Sequence, residues 1–229
     1  MSSSTDDLVQ SIAYDLPSGS IAMVIRDQAN RCSNSGSKRL MDIVLSTSAL
    51  IILSPVLAFI ALGIFVQDRG PVFFRQERAG MNGETFRIWK FRTMTVQPPT
   101  SSFQQTMGKD DPRVTTLGRW LRVSSLDELP QLFNILKGEM SLVGPRPHPV
   151  ELDKIYAPQI DKYVLRRSVR PGLTGAAQIT GARGAIAGTT EMKTRLELDL
   201  AYITNWSFLG DFVILFQTLN LRKMMANAH

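Results

Sequence analysis

Residues 43–66 are 24 consecutive positions without a charge, and the pair Ser54-Pro55 falls almost at their midpoint. As one helix the block would be about 36 Å long, enough to cross a bilayer. Pro55 removes a helical hydrogen bond and disfavours helical geometry at Ser54, so a sharp kink is expected there. Each half alone would reach roughly 17 Å, only to the bilayer midplane. Two membrane arrangements follow. The segment spans with a kink, or it enters, turns at Ser54-Pro55 and leaves on the side it came from. A core helix of a soluble domain is a third, for which so long an uncharged run is unusual. Basic residues lie on both sides, at Lys38-Arg39 and Arg69, so flanking charge does not fix an orientation.

This segment divides the chain into three parts: 1–37, 38–68 and 69–229. Residues 1–37 are rich in Ser, Asp, Asn and Gly and are expected to be a flexible tail, with at most a short ordered patch at 21–25. No basic start followed by an apolar run marks a signal peptide. Of the net charge of +6, the tail contributes −2, from Arg26 and Arg31 against Asp6, Asp7, Asp15 and Asp27. The remainder is therefore strongly basic, and 18 of the 26 basic residues are arginine, which favours bidentate binding of phosphate or carboxylate. The single cysteine, Cys32, excludes an intramolecular disulfide, and two distant histidines exclude a His-rich zinc site. A metal here would be oxygen-bound, Mg²⁺ or Mn²⁺.

Beyond Gly70, residues 71–75 and 86–91 read as two short strands joined by a turn at 80–83. Their alternating basic and aromatic residues would place Arg75, Lys90 and Arg92 on one face. Residues 97–108 read as a mobile loop, 116–123 as a short helix, 156–167 as another, and the glycine-rich stretch 172–188 as a loop near a ligand. Residues 191–206 are helical by spacing, and the apolar stretch 208–225 suits either an interfacial helix or a core helix. The fold class is α+β: a small, mostly helical domain with a short β-hairpin or sheet, attached to the membrane segment and to interfacial amphipathic helices.

The chemistry concentrates in residues 125–147, SLDELPQLFNILKGEMSLVGPRP. Ser125-x-x-Glu128 matches a helix capping box, with Gly138 as the helix stop. Pro130 favours Asp127 as the cap instead, because the proline then sits in the permissive first turn. Beyond a cap, the adjacent acids Asp127 and Glu128 could ligand a divalent cation, or one could attack phosphorus. Arg113, Arg122 and Arg146 supply cations, and Pro145 and Pro147 stiffen the backbone around Arg146. No Walker loop, dinucleotide fingerprint or nucleophile elbow is present, and no nucleic-acid fold signature appears.

The ordered set Lys38-Arg39-x-x-Asp42, Ser54-Pro55, GPVFFRQERAG, KFRTM, DPRVT, the segment 125–147, RPGLTG and D-x-x-YITNWS from Asp199 resembles the bacterial sugar transferases, the monotopic phosphoglycosyl transferases. That resemblance implies transfer of a hexose 1-phosphate, glucose or galactose, from a UDP-sugar to polyprenyl (undecaprenyl) phosphate with release of UMP. It implies Mg²⁺, the cytosolic face of the bacterial inner membrane, downstream glycosyltransferases, and a site that binds no nucleic acid. A homodimer is compatible with it. Asp127 matches the family's nucleophile, which forms a phosphosugar-aspartyl intermediate, and Glu128 its partner in the dyad and at the metal. Arg122 and Arg146 match diphosphate-binding positions, and Pro145 and Pro147 the place of the uridine. Lys90, Arg92, Arg113 and Asp199 fall in family motifs and are further candidates for substrate binding. The resemblance favours re-entry at Ser54-Pro55, and it makes the chain a minimal form without the additional helices of larger members. The competing class is a catalytically silent membrane scaffold, against which both acids of the dyad are present.

Overall fold

The computed structural model describes residues 18–96, 111–182 and 188–219. Helix α1 (Ser18–Ser33) leads into a long helix α2 (Gly36–Asp68), the strands β1 (Phe73–Ala79) and β2 (Thr85–Phe91), and helix α3 (Thr116–Val123). A 3₁₀ turn (Leu126–Glu128) precedes α4 (Gln131–Lys137), β3 (Ser141–Val143) and α5 (Val150–Tyr156). A second 3₁₀ segment (Tyr163–Ser168), β4 (Gly172–Thr174), α6 (Ala176–Ile179), α7 (Thr189–Thr204) and α8 (Phe208–Leu219) follow. The described residues thus form a mostly helical α+β domain with two two-stranded sheets, an antiparallel hairpin and the parallel pair β3–β4.

The expectation of a flexible tail does not hold for α1. Ile25, Ala29 and Cys32 are spaced four and three apart, share one helix face, and are all buried in the main core. The polar composition around them masks that stripe. They meet Phe86 and Ile88 from β2, Leu132 and Ile135 from α4, and Met140, Leu142 and Val143 around β3. Residues 1–17 lie outside the described residues, as do the expected loop at 97–108 and the end of the apolar stretch beyond Leu219.

Helix α2 starts on Ser35, whose hydroxyl accepts the Lys38 N–H. One turn in, its polar pair Lys38 and Asp42 is buried rather than solvated. Lys38 Nζ donates to Asp211 (2.6 Å) and to the Val143 carbonyl (2.9 Å), and Asp42 accepts from the Leu142 N–H at 2.8 Å and the Ser141 hydroxyl at 3.1 Å. Tyr202 and Trp206 also donate to Asp211, so the first and last motifs of the chain close on one another. The helix runs through Pro55 without a break. The carbonyl that Pro55 leaves without its usual N–H is that of Ile51, and the Ser54 hydroxyl donates to it at 2.8 Å. Between its ends the helix is bare: Ile51, Ile52, Phe59 and Leu62 are each more than half exposed. Both ends pack on the same domain, the first through Lys38 and Asp42, the second through Ile60 and Ile64 against Phe91 and Leu121.

The hairpin forms where expected, in the register Phe73↔Phe91 and Arg75↔Trp89. That register corrects the expected basic face. Cross-strand partners share a face, so Lys90 stands with Phe74 while Arg75 stands on the other side with Trp89, its guanidinium 3.7 Å from the indole ring centre.

The glycine-rich stretch is not simply a loop either. Gly172 opens β4, and a Cβ there would lie 2.1 Å from Gly144 N; one on Gly175 would lie 2.2 Å from the Gly144 carbonyl oxygen. These glycines permit close backbone contact between two strands. In place of the helix expected over 156–167, α5 ends at Tyr156, turns follow over 157–162, and the 3₁₀ segment begins at Tyr163 behind Lys162 at a φ of 60°.

Candidate active site

Asp127 and Glu128 lie in the 3₁₀ turn between α3 and α4, and neither expected cap register occurs. Ser125 adopts a left-handed conformation (φ 57°) and caps nothing with its side chain, and α4 begins only behind Pro130. Pro130 has no N–H to donate and its ring crowds the preceding turn, so the regular helix starts after it and the two acids occupy a tight turn of their own. Gly138, at φ 85°, closes α4 as expected.

Asn134 on α4 ties this turn to the hairpin. Its side chain accepts the Trp89 N–H at 3.0 Å and donates to the Arg87 carbonyl at 2.9 Å. The neighbouring Lys90 thereby reaches Glu128, with Nζ 2.6 Å from Oε1. Arg146 grips the same carboxylate with both terminal nitrogens, 2.5 Å to Oε1 and 3.1 Å to Oε2. Burial opposes ionisation of Glu128, but Arg146 and Lys90 overcome it and hold the carboxyl well below the usual range. Glu128 in turn raises the Arg146 pKa, while burial lowers that of Lys90.

Asp127 is the contrasting acid. Its residue is only 8% exposed, and among the described residues no side chain or backbone group hydrogen-bonds its carboxylate. Burial raises its pKa to about 6, with Lys90 pulling down, Glu128 pushing up, and Arg122 and Arg146 again pulling down. The carboxylate is therefore ionised at neutral pH, poorly solvated, and held by the field of cations rather than by direct bonds.

Arg122 is steadied by the Thr93 hydroxyl, which accepts from Nε at 2.8 Å. Arg113 instead forks onto the buried Asp111, 2.8 Å from Nε to Oδ1 and 2.6 Å from Nη2 to Oδ2. Arg92 is buried beside Gly70 at the end of β2, where a Cβ would meet its guanidinium at 2.0 Å. Lys90, Arg122, Arg146, Asp127 and Glu128 are thus brought together; Arg113 and Arg92 belong to neighbouring, separately bonded environments.

The loop carrying Pro145, Arg146 and Pro147 is fixed by more than its prolines. Four consecutive carbonyls are taken up: Pro145 by the Gly172 N–H (2.9 Å), Arg146 by Arg166 (2.8 Å), Pro147 by Arg78 (3.0 Å) and His148 by the Ala79 N–H (3.2 Å). Asp199 stands behind this loop, where its Oδ2 receives Arg166 Nη2 at 2.7 Å and Nε at 3.0 Å. Its direct partner is thus the arginine that holds Arg146 in place. Thr93, Arg78 and Arg166 escape sequence reasoning because each acts through a backbone carbonyl or another arginine. Only the place of Thr93 in KFRTM and of Arg78 in RQER offered a signal.

The described residues contain no cluster of three acidic, histidine or cysteine side chains that could cage a metal. Asp127 has open oxygens, whereas both Glu128 oxygens already face cations. That donor set fits a hard divalent cation held by one carboxylate and completed by substrate phosphates and water, the usual manner of Mg²⁺. The excess of cations over the two acids suits a ligand with several negative oxygens.

Residues 33–225 match the sequence model of the bacterial sugar transferases. A UDP-glucose:undecaprenyl-phosphate glucose-1-phosphate transferase of Klebsiella pneumoniae is 48% identical over 182 residues, covering 80% of this chain and 39% of that protein. A protein with the same name from Caulobacter vibrioides is 43% identical over 192 residues, 84% of this chain and 72% of its own length. The exopolysaccharide production protein PSS of Rhizobium leguminosarum bv. phaseoli is 42% identical over 186 residues, 80% of this chain and 92% of its own. The chain thus spans about two fifths of the first of these and nearly the whole of the last. With the family model covering most of its length, the chain belongs to the bacterial sugar transferase family.

Proposed function

We propose that the protein transfers a hexose 1-phosphate from a UDP-hexose to undecaprenyl phosphate and releases UMP, as the first membrane step of exopolysaccharide or capsule assembly. The names of the Klebsiella and Caulobacter relatives favour glucose over galactose. The observation that carries the reading is the Asp127 carboxylate: buried, free of hydrogen bonds among the described residues, and beside Lys90, Arg122 and Arg146.

An Asp127 oxygen attacks the sugar-side phosphorus of the donor. The P–O bond to uridine monophosphate breaks, and UMP departs with the electron pair. A phosphate oxygen of undecaprenyl phosphate then attacks the same phosphorus, the acyl-phosphate bond breaks, and the Asp127 carboxylate is restored. Arg146 and Arg122 grip the diphosphate, while Glu128 orders Lys90 and Arg146 around it. Mg²⁺, with Mn²⁺ as a substitute, would be held at Asp127 and by the donor phosphates, and when bound would neutralise part of their charge. Pro145 and Pro147 shape the edge on which the uridine rests.

In this account α2 re-enters the cytosolic face of the inner membrane, with Ser54-Pro55 at its deepest point. Support comes from its two ends, which pack on one domain; a spanning helix would hold them apart across about 30 Å of hydrocarbon. The product is a substrate for glycosyltransferases that extend the repeat.

Release of UMP from a panel of UDP-hexoses, with Mg²⁺ and undecaprenyl phosphate, tests the function. Turnover with UDP-glucose and a roughly thousandfold loss in Asp127→Asn are expected; full turnover in that variant would refute the assignment.

A further inference from the structure

We propose that His148 is a donor-binding residue, giving a hydrogen bond from Nε2 to a phosphoryl oxygen of the nucleotide diphosphate. This rests on the transfer reaction proposed above and assigns it a contact beyond the Asp127–Glu128 pair and its cations.

His148 is only 5% exposed, and the Nδ1 edge of its ring is engaged. Nδ1 lies 3.0 Å from Arg166 Nη1 and 2.9 Å from the Tyr163 hydroxyl, whose one proton goes either to Nδ1 or to Asp153, 2.7 Å away. A guanidinium has only N–H groups to offer, so Nδ1 must present its lone pair and the ring proton resides on Nε2. Burial and then Arg166, Arg195, Arg78 and Arg146 hold the imidazole well below its ordinary pKa, so it remains neutral and keeps that tautomer.

Nε2–H leaves the ring from the edge opposite to Arg166 and Tyr163. It has no partner among the described residues. Nor is it one of the polar atoms wholly sealed from solvent without a partner. A largely desolvated donor with no acceptor is costly unless a ligand supplies one. The charges around the ring indicate which acceptor: Arg166 touches it, the fields of Arg195, Arg78 and Arg146 act on it as well, and Arg146 also grips Glu128. An anionic phosphoryl oxygen suits that surrounding better than a hydroxyl or carbonyl. The donor is also fixed in advance, since the His148 carbonyl is tied to the Ala79 N–H and the ring packs against Tyr163.

Two substitutions separate this from a purely structural role. His148→Asn can still accept from Arg166 at the Nδ1 position but has no donor where Nε2 stood. His148→Gln restores a donor near Nε2 and gives up the acceptor at Nδ1. Binding of UDP with Mg²⁺ to the full-length protein in nanodiscs is to be measured by titration calorimetry, with thermal melting as a check on folding. His148→Asn is expected to bind UDP roughly ten- to a hundredfold more weakly with little change in melting, and His148→Gln to recover much of that loss. Wild-type affinity in His148→Asn, or a greater loss in His148→Gln than in His148→Asn, would overturn the inference while leaving the reaction intact. Absence of UDP binding by the wild-type protein would overturn both.

Discussion

Lys90 Nζ lies 2.6 Å from Glu128 Oε1, so strand β2 delivers a cation directly to one of two adjacent acids and only its field to the other. The pair is thereby divided. Glu128 is clamped and firmly ionised, while Asp127 is open and titrates at about 6. That division suits one acid to organise cations and the other to react.

The first consequence is a pH dependence. In the proposed reaction Asp127 must be ionised to attack, so UMP release should fall as pH drops through about 6. Lys90→Met removes a charge that lowers this pKa, so the acid limb should move to higher pH, alongside any loss in rate. A limb that stayed in place or moved to lower pH in the pH–rate profile would contradict the role given to Lys90. The raised pKa also means that the folded state binds this proton more tightly than the unfolded chain. Stability from this group is therefore full below the ordinary carboxyl range and is lost as pH rises towards about 6. Asp127→Asn should accordingly be more stable than the wild type at pH 7, on the order of 2 kcal/mol, in chemical denaturation.

Arg166 and Asp199 form a pair whose side chains are 4% and 3% exposed. Arg166→Met leaves Asp199 buried without its main partner and should cost roughly 3 kcal/mol of stability. Adding Asp199→Leu should return much of the stability but not the activity, because the Arg146 carbonyl still lacks its donor. Melting curves and UMP release on the two variants distinguish these effects; recovery of both together would show that the loop needs no such support.

Gly172→Ala would set a methyl group 2.1 Å from Gly144 N, a contact with backbone that cannot swing aside. The β3–β4 pairing should be forced apart and the Arg146 loop displaced. A loss of at least an order of magnitude in UMP release is expected, since misplacing a site by about 1 Å costs on the order of a hundredfold. Near-normal turnover would mean that the loop is not held through this contact.

Topology has its own test. In a Cys32→Ser background, a cysteine placed at the exposed Asn30 should stay protected from a membrane-impermeant thiol reagent applied to intact cells, as should one placed at the exposed Arg69. Pro55→Leu, which restores the missing N–H, should favour a spanning helix and expose one of the two. Labelling of either site with Pro55 in place would contradict re-entry.

How much of this was legible in the sequence differs by element. The acids, Arg122 and Arg146 could be named because they fall in compact motifs, and the hairpin because its strands and turn are local. The face on which Arg75 lies could not, since it depends on a cross-strand register that pairs it with Trp89 rather than Lys90. Helix α1 was hidden because three apolar residues, Ile25, Ala29 and Cys32, carry its packing within a polar segment. The glycines at 172 and 175 read as flexibility when their use is close contact with Gly144 from a distant part of the chain. The support of Arg146 by Arg166 and Asp199 likewise spans sequence separations that no local pattern encodes.

The most direct measurement is intact-protein and peptide mass spectrometry after incubation with UDP-glucose and Mg²⁺ in the absence of undecaprenyl phosphate. The account predicts a hexose-phosphate adduct on the peptide containing Asp127, lost on adding the lipid acceptor and absent from Asp127→Asn. An adduct confined to another residue, or one that persists in Asp127→Asn, would contradict it.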